Sequence, residues 1–147
     1  DANLLHDVLT GRSVTACLHF VNGTPIDWHS KKQAMVETAM HSSKFVEVQT
    51  CVKQTIDLCN TLQCLGVEVR EKSHMFGDNK SVVNSASIVH SKLHKCHNAL
   101  SCHCVREAIA SRCVDFNCVP GMQNPADILS KQWAHGAVKD VLLPLFH

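Results

Sequence analysis

The chain has 147 residues, 45% of them hydrophobic and 18% charged, with a formal net charge of +1. That length and hydrophobic fraction suit one globular domain with its own core and exclude a disordered tail. The near-neutral charge says almost nothing about partners, though a nucleic-acid binder would have to use local lysines, and no apolar run approaches the ~18 residues of a membrane span.

Residues 1–5 (DANLL) read as the end of a strand. The chain opens at Asp1 without methionine or an export signal, so it reads as a segment of a longer polypeptide with its first strand truncated. Residues 14–21 and 25–29 are apolar and β-branched runs flanking Asn22-Gly23-Thr24, which predicts an antiparallel hairpin. The longest helix is expected from Val36 to Leu65, with Gly66 as its stop. Phe45, Val48, Val52, Thr55, Ile56, Cys59 and Leu62 share one face of it, opposite Gln49, Lys53, Asp57 and Asn60. Lys44 falls inside the apolar arc. A charge there is costly unless something uses it.

Residues 72–77 read as a strand, and a helix follows from near Lys80. Residues 91–111 read as helical and 113–119 as a strand closed by Pro120-Gly121. Asn124-Pro125-Ala126-Asp127 is a helix start, with Asn as cap and Pro at the first helical position. A last helix is expected over 136–143. This order predicts a single α/β domain over 1–147, with a five-stranded mixed sheet flanked by helices.

Nine cysteines would suit a disulfide framework in a secreted domain, but the odd count and helical placements argue for an intracellular chain with reduced thiols. Eleven histidines and no tyrosine are compatible with a sequence drifting without selection.

Asp1 lies in the first strand, Asp78 follows a strand, and Asp127 sits at a helix start. Carboxylates converging at strand ends would suit Mg²⁺, a hard cation that takes oxygen ligands. Singly, Asp78 also reads as a turn residue and Asp127 as a complement to a helix dipole.

The segments DANLLHD, GRSVTACLHFVNGTPIDWHSKKQ, GDNKS, VREAI and NPADILSK occur in that order. Together they resemble the ribonuclease H domain of copia-type retrotransposon polyproteins. That family's pattern has an Asp-Ala-Asp-like start, an Arg-Ser-x-x-Gly hairpin leading to Trp-x-Ser-Lys-Lys-Gln, then Asp-Asn-x-Ser, Val-Arg-Glu and Ala-Asp-x-Leu-(Ser/Thr)-Lys. The resemblance covers essentially the whole chain. It implies a ribonuclease H-like fold that cuts the RNA strand of an RNA–DNA hybrid by two-metal hydrolysis with Mg²⁺ or Mn²⁺. It also implies a reverse transcriptase domain of the same polyprotein as partner, and a location in the cytoplasm or a virus-like particle, with no membrane.

By motif, Asp1, Asp78 and Asp127 match three of the family's four metal-binding carboxylates. The fourth is a glutamate in a pattern like Glu-(Tyr/Phe)-x-Ala, and the matching stretch here is Lys44-Phe45-Val46-Glu47. Lys44 therefore replaces the glutamate. Glu37 and Glu47 lie two turns and about one turn away, too far to substitute without sliding the helix by ~5 Å per turn. Ala16 also stands where the hairpin pattern has glycine. These departures imply a degenerate, catalytically impaired copy. Lys31, Lys32, Asn79, Lys80, Ser81, Asn124 and Lys131 match the family's nucleic-acid-binding positions, where lysines could hold phosphates.

Two alternatives stand beside this reading, the first drawn from the same resemblance and the second from the residues themselves. A non-catalytic hybrid-binding or scaffold domain would use the same lysines without cleavage. A zinc module would use His90, His94, His97, Ser101 and Cys104 on one helical face, with Cys96, Cys102 and His103 nearby. Against it, there is no Cys-x-x-Cys knuckle, and one straight helix rarely closes four-coordination.

Overall fold

A computed structural model describes residues 2–3, 10–34, 36, 40–88, 99–131, 138 and 143. The chain divides into two compact units, Asp1–Ser43 with Pro120–His147, and Lys44–Val119.

In the first unit, β1 (Ala2–Asn3) pairs antiparallel with β2 (Val14–Val21), and β2 pairs antiparallel with β3 (Thr24–Lys32). Asn22 and Gly23 close the hairpin with φ of 51° and 79°. Two successive left-handed residues are what a two-residue turn needs to follow the strands' twist, so Asn-Gly carries the hairpin as expected. Ser13 through Cys17 form the buried stretch at the start of β2, and Ala16 is fully enclosed there. The short helix following Asn124, Asp127–Ser130, belongs to this unit, and the Ser30 hydroxyl donates to the Leu129 carbonyl at 2.8 Å. That bond ties the end of the hairpin motif to the Ala-Asp-Ile-Leu-Ser-Lys motif 99 residues later. Gln33 is buried by its own bonds. Its amide nitrogen donates to Thr15 Oγ1 and the Ser43 carbonyl, both at 3.0 Å, and its Oε1 accepts from Ser43 Oγ at 3.1 Å.

The second unit packs three helices on a parallel strand pair. The long helix α1 (Met40–Cys64) enters it at Lys44, and β4 (Ser73–Gly77) pairs parallel with β5 (Val114–Cys118). Between the strands run α2 (Lys80–Ser87) and α3 (Ala99–Ala110), and the four-residue helix after Asn124 is α4. Phe45, Val48 and Val52 bring the predicted stripe of α1 into a core with Val82 and Ala86 of α2 and Val105 of α3. Val114 and Phe116 point into that core from β5 while Asp115 and Asn117 alternate outward, the period of a half-buried strand.

Local chemistry sets the ends. After α1, Gly66 takes φ +81°, its N–H reaches the Gln63 carbonyl at 2.9 Å, and the Val67 N–H reaches Leu62 at 2.9 Å. These two bonds are a Schellman stop. Asn79 caps α2 by accepting from the Val82 N–H at 3.2 Å. At the other end of α2, Arg106 donates to the carbonyls of Ser85 at 2.8 Å and Ile88 at 3.1 Å, which gives the Val-Arg-Glu motif a structural task.

The expected five-stranded mixed sheet is not what forms. The described strands make two sheets, antiparallel β1-β2-β3 and parallel β4-β5. A strand joining a hairpin to a parallel pair has to offer hydrogen-bonding groups on both edges over several residues. β1 is two residues long and pairs with β2. Helix α1 begins at Met40, and Val36 is not helical. Cys17 is disulfide-bonded and so is Cys51, against the expectation of reduced thiols throughout, whereas Cys59, Cys64, Cys102, Cys104, Cys113 and Cys118 are free. An odd total excludes complete pairing and says nothing about any single bond. The helix expected over 136–143 and the first part of that over 91–111 lie outside the described residues. No described helix is long and apolar enough to cross a membrane.

A Cβ at Gly66 would meet nothing within 4 Å, so the cost of a side chain there is conformational. Gly66→Ala is expected to lose about 1 kcal/mol in urea unfolding, and Gly66→Asn less, because asparagine tolerates the left-handed region. Equal stability of wild type and Gly66→Ala would contradict the Schellman stop.

Candidate functional site

Lys44 and Glu47 are three residues apart on α1, so they project from the same side of the helix. Both are enclosed, with 6% and 4% of their surface exposed. Asp78 comes to them from the other direction. Strand β4 ends at Gly77, and Asn79 turns the chain into α2 by capping it, so Asp78 stands at the corner. Phe45, next to Lys44, packs into the core and fixes this face of α1 toward the strand pair.

The Lys44 ammonium donates to Asp78 Oδ1 at 2.9 Å and lies 3.9 Å from Glu47 Oε2. The Asp78 side chain is about one-fifth exposed, so water still reaches part of the pair. Burial pushes the Glu47 carboxyl above its ordinary range, and nearby positive charge, that of Lys44 included, opposes the rise. The Lys44 ammonium thus lies near two carboxylates where water is nearly excluded. Such a charge is tolerable only because it is paired.

Of the sequence-predicted residues, the structure brings Lys44 and Asp78 together. Asp1 lies outside the described residues, and Asp127 belongs to the other unit. There it opens α4, is nearly buried, and accepts from the Lys131 ammonium one turn on. Asn124 Oδ1 accepts from the Ala126 N–H at 3.1 Å. Asn79 therefore caps α2, whereas α4 begins later than the sequence predicts. Its N-cap is Ala126 with no side-chain cap bond, Asn124 and Pro125 lie in the turn ahead of it, and the Lys131 side chain pairs with Asp127. Lys31 and Lys32 end β3 as exposed side chains, and Lys80 and Ser81 are exposed in the first turn of α2.

Glu47 is the residue that sequence reasoning set aside. It does not take the place of Lys44's missing glutamate, yet its carboxylate reaches the same ammonium. The i,i+3 spacing on a buried face was the available signal. On α3, Cys102 is buried with its thiol pushed up by that burial, and Ser101 donates to Gln49 Oε1 at 3.0 Å. His90, His94, Cys96 and His97 lie outside the described residues, and among those described no three His, Cys, Asp or Glu side chains are grouped to hold a metal.

Among the described residues around Asp78, the donor set does not fit a divalent ion. A metal needs anionic or neutral oxygen ligands turned toward it. Here an ammonium already takes one Asp78 oxygen. No family model, curated protein or solved structure matches the chain.

Because burial raises the Glu47 carboxyl, the folded chain holds this proton at a pH where the unfolded chain has released it. Folded stability therefore falls as pH rises from the ordinary carboxyl range toward the raised value, with a slope up to about 1.4 kcal/mol per pH unit. Glu47→Gln should flatten that part of a stability–pH curve measured by urea unfolding. An unchanged slope in the variant would contradict the assignment.

Proposed function

We propose that this chain is a copia-type ribonuclease H domain that has lost its hydrolytic competence. The reading rests on the ordered motifs and on one observation. Lys44, where the resemblance expects a glutamate, has its ammonium 2.9 Å from Asp78, where the resemblance expects a metal ligand. Two positions 34 residues apart are thus neighbours, in keeping with a common ancestral site. The substrate class is an RNA–DNA hybrid. The parent activity is metal-assisted cleavage of its RNA strand in a polyprotein that also carries a reverse transcriptase.

Exchanging glutamate for lysine changes the local charge by two. At ~5 Å and an effective dielectric of ~20, an ammonium and one Mg²⁺ repel by roughly 7 kcal/mol. Even a third of that, at ~1.4 kcal/mol per tenfold, weakens metal binding by well over tenfold. The fold tolerates the exchange because the lysine stem covers apolar surface and its charge is paired. A second reading, hybrid binding without cleavage, draws on the exposed Lys31, Lys32 and Lys80. These side chains could engage phosphates whether or not the site cuts.

Wild type and Lys44→Glu, assayed on a labelled RNA–DNA hybrid with Mg²⁺ or Mn²⁺, should differ by more than about tenfold in cleavage rate, the variant being faster. Equal, measurable rates would contradict the role given to Lys44. Hybrid retention by an uncleaving wild type, weakening with salt, would favour the binding reading.

A further inference from the structure

We propose that His19 makes the outer half of the β2–β3 hairpin an acid-sensitive latch, closed while the ring is neutral and released when it takes a proton. Nothing in this depends on ribonuclease ancestry.

The hairpin is built for it. His19 stands opposite Asp27, and a bulge at His19/Phe20 shifts the register just beyond that pair. A bulge interrupts the ladder, so the strands are joined least well there. Past it lie the exposed Phe20 and the exposed turn of Asn22, Gly23 and Thr24, with little packing to hold them. The His19 side chain, by contrast, is 10% exposed, and its Nδ1 is closed off from solvent. That nitrogen lies 3.3 Å from Asp27 Oδ2 without the alignment of a hydrogen bond. The Asp27 side chain is 56% exposed, so water weakens what its carboxylate offers a charged ring.

A proton on His19 would therefore be enclosed with poor compensation. Burial lowers the imidazole below its ordinary value, Asp27 opposes that, and His29, on the same face of β3, adds to it. Helix α4 meets the hairpin through Ser30, which alternates with His29. Its Asp127 and Lys131 thus come to the opposite face, where they pair with each other. The described residues of β1, Ala2 and Asn3, carry no charged side chain. The open chain takes the proton near about pH 6.5, whereas the closed hairpin takes it only at lower pH. The open form binds more protons in that window, so the closed hairpin loses stability as pH falls from about 6.5 through the lowered value.

Amide hydrogen exchange tests this strand by strand. From about pH 7.5 to about pH 5, protection over residues 18–21 and 26–28 should fall by about tenfold in the unmodified chain, after correction for intrinsic rates. Over β4 and β5 it should hold. His19→Gln, which keeps a neutral polar side chain, should remove the fall. Asp27→Asn should enlarge it, because the ring loses its opposing carboxylate. An equal fall in the unmodified chain and His19→Gln overturns the proposal, as does an Asp27→Asn protein that loses no more than the unmodified one. A parallel loss over β4 and β5 overturns it too, since the opening would not be confined to the hairpin. Should the variants not fold, an NMR titration of the His19 ring in the unmodified chain decides. Protonation well below about pH 6.5 together with the local fall in protection supports the latch, and protonation at or above that value overturns it.

Discussion

The hydrogen bond from Lys44 to Asp78 joins the long helix to the corner where β4 hands over to α2. Its two ends are prepared separately. Phe45, Val48 and Val52 press one face of α1 into the core, which obliges Lys44 to enter a nearly dry region. Asn79 caps α2 and leaves Asp78 at the end of the strand. Hydrophobic burial does the assembling, and the ion pair makes the result tolerable. Removing either partner would strand a charge, a costlier event than never having buried the pair.

The same pair constrains what the site can do. A carboxylate in an α/β protein at the end of a strand is well placed for metal chemistry, and its ordinary use needs oxygen ligands converging on a cation. With an ammonium at hydrogen-bond distance, the positive charge is already supplied by the chain. On the proposed nuclease reading, structure and reactivity pull apart: a lysine in place of a glutamate would spoil a metal site and leave the packing intact. A protein altered in this way would keep its helices, caps and core while losing its chemistry. Surface features are less affected, since Lys31, Lys32 and Lys80 remain exposed whatever happens at Lys44.

Features set by neighbouring residues were readable in the sequence. Asn22-Gly23 dictated the hairpin, Gly66 the end of α1, and Asn79 the start of α2, because each depends on local backbone conformation or a bond within one turn. The buried stripe of α1 and the anomaly of Lys44 followed from helical periodicity. The sheet did not, since strand pairing depends on which edges meet across long sequence distances, and β1 contributes two of the described residues. Glu47 was underrated because the family pattern drew attention to a ligand position, while the helix geometry placed a second carboxylate beside the lysine. The bonded state of Cys17 and Cys51 was hidden for a similar reason: composition describes a compartment, not the environment of one sulfur. Arg106 gained its meaning only when the carbonyls at the end of α2 came into view.

The most direct measurement is a double-mutant cycle between Lys44→Met and Asp78→Asn, read by urea unfolding at neutral pH. Each single change takes away one partner of the 2.9 Å bond in a poorly solvated place, and the double change removes both. The account predicts that the double variant is less damaged than the sum of the singles, with a coupling of about 1 kcal/mol or more. Additivity within about 0.5 kcal/mol, the range found for distant independent sites, would contradict it and reduce Lys44 to a lysine that happens to lie near an acid.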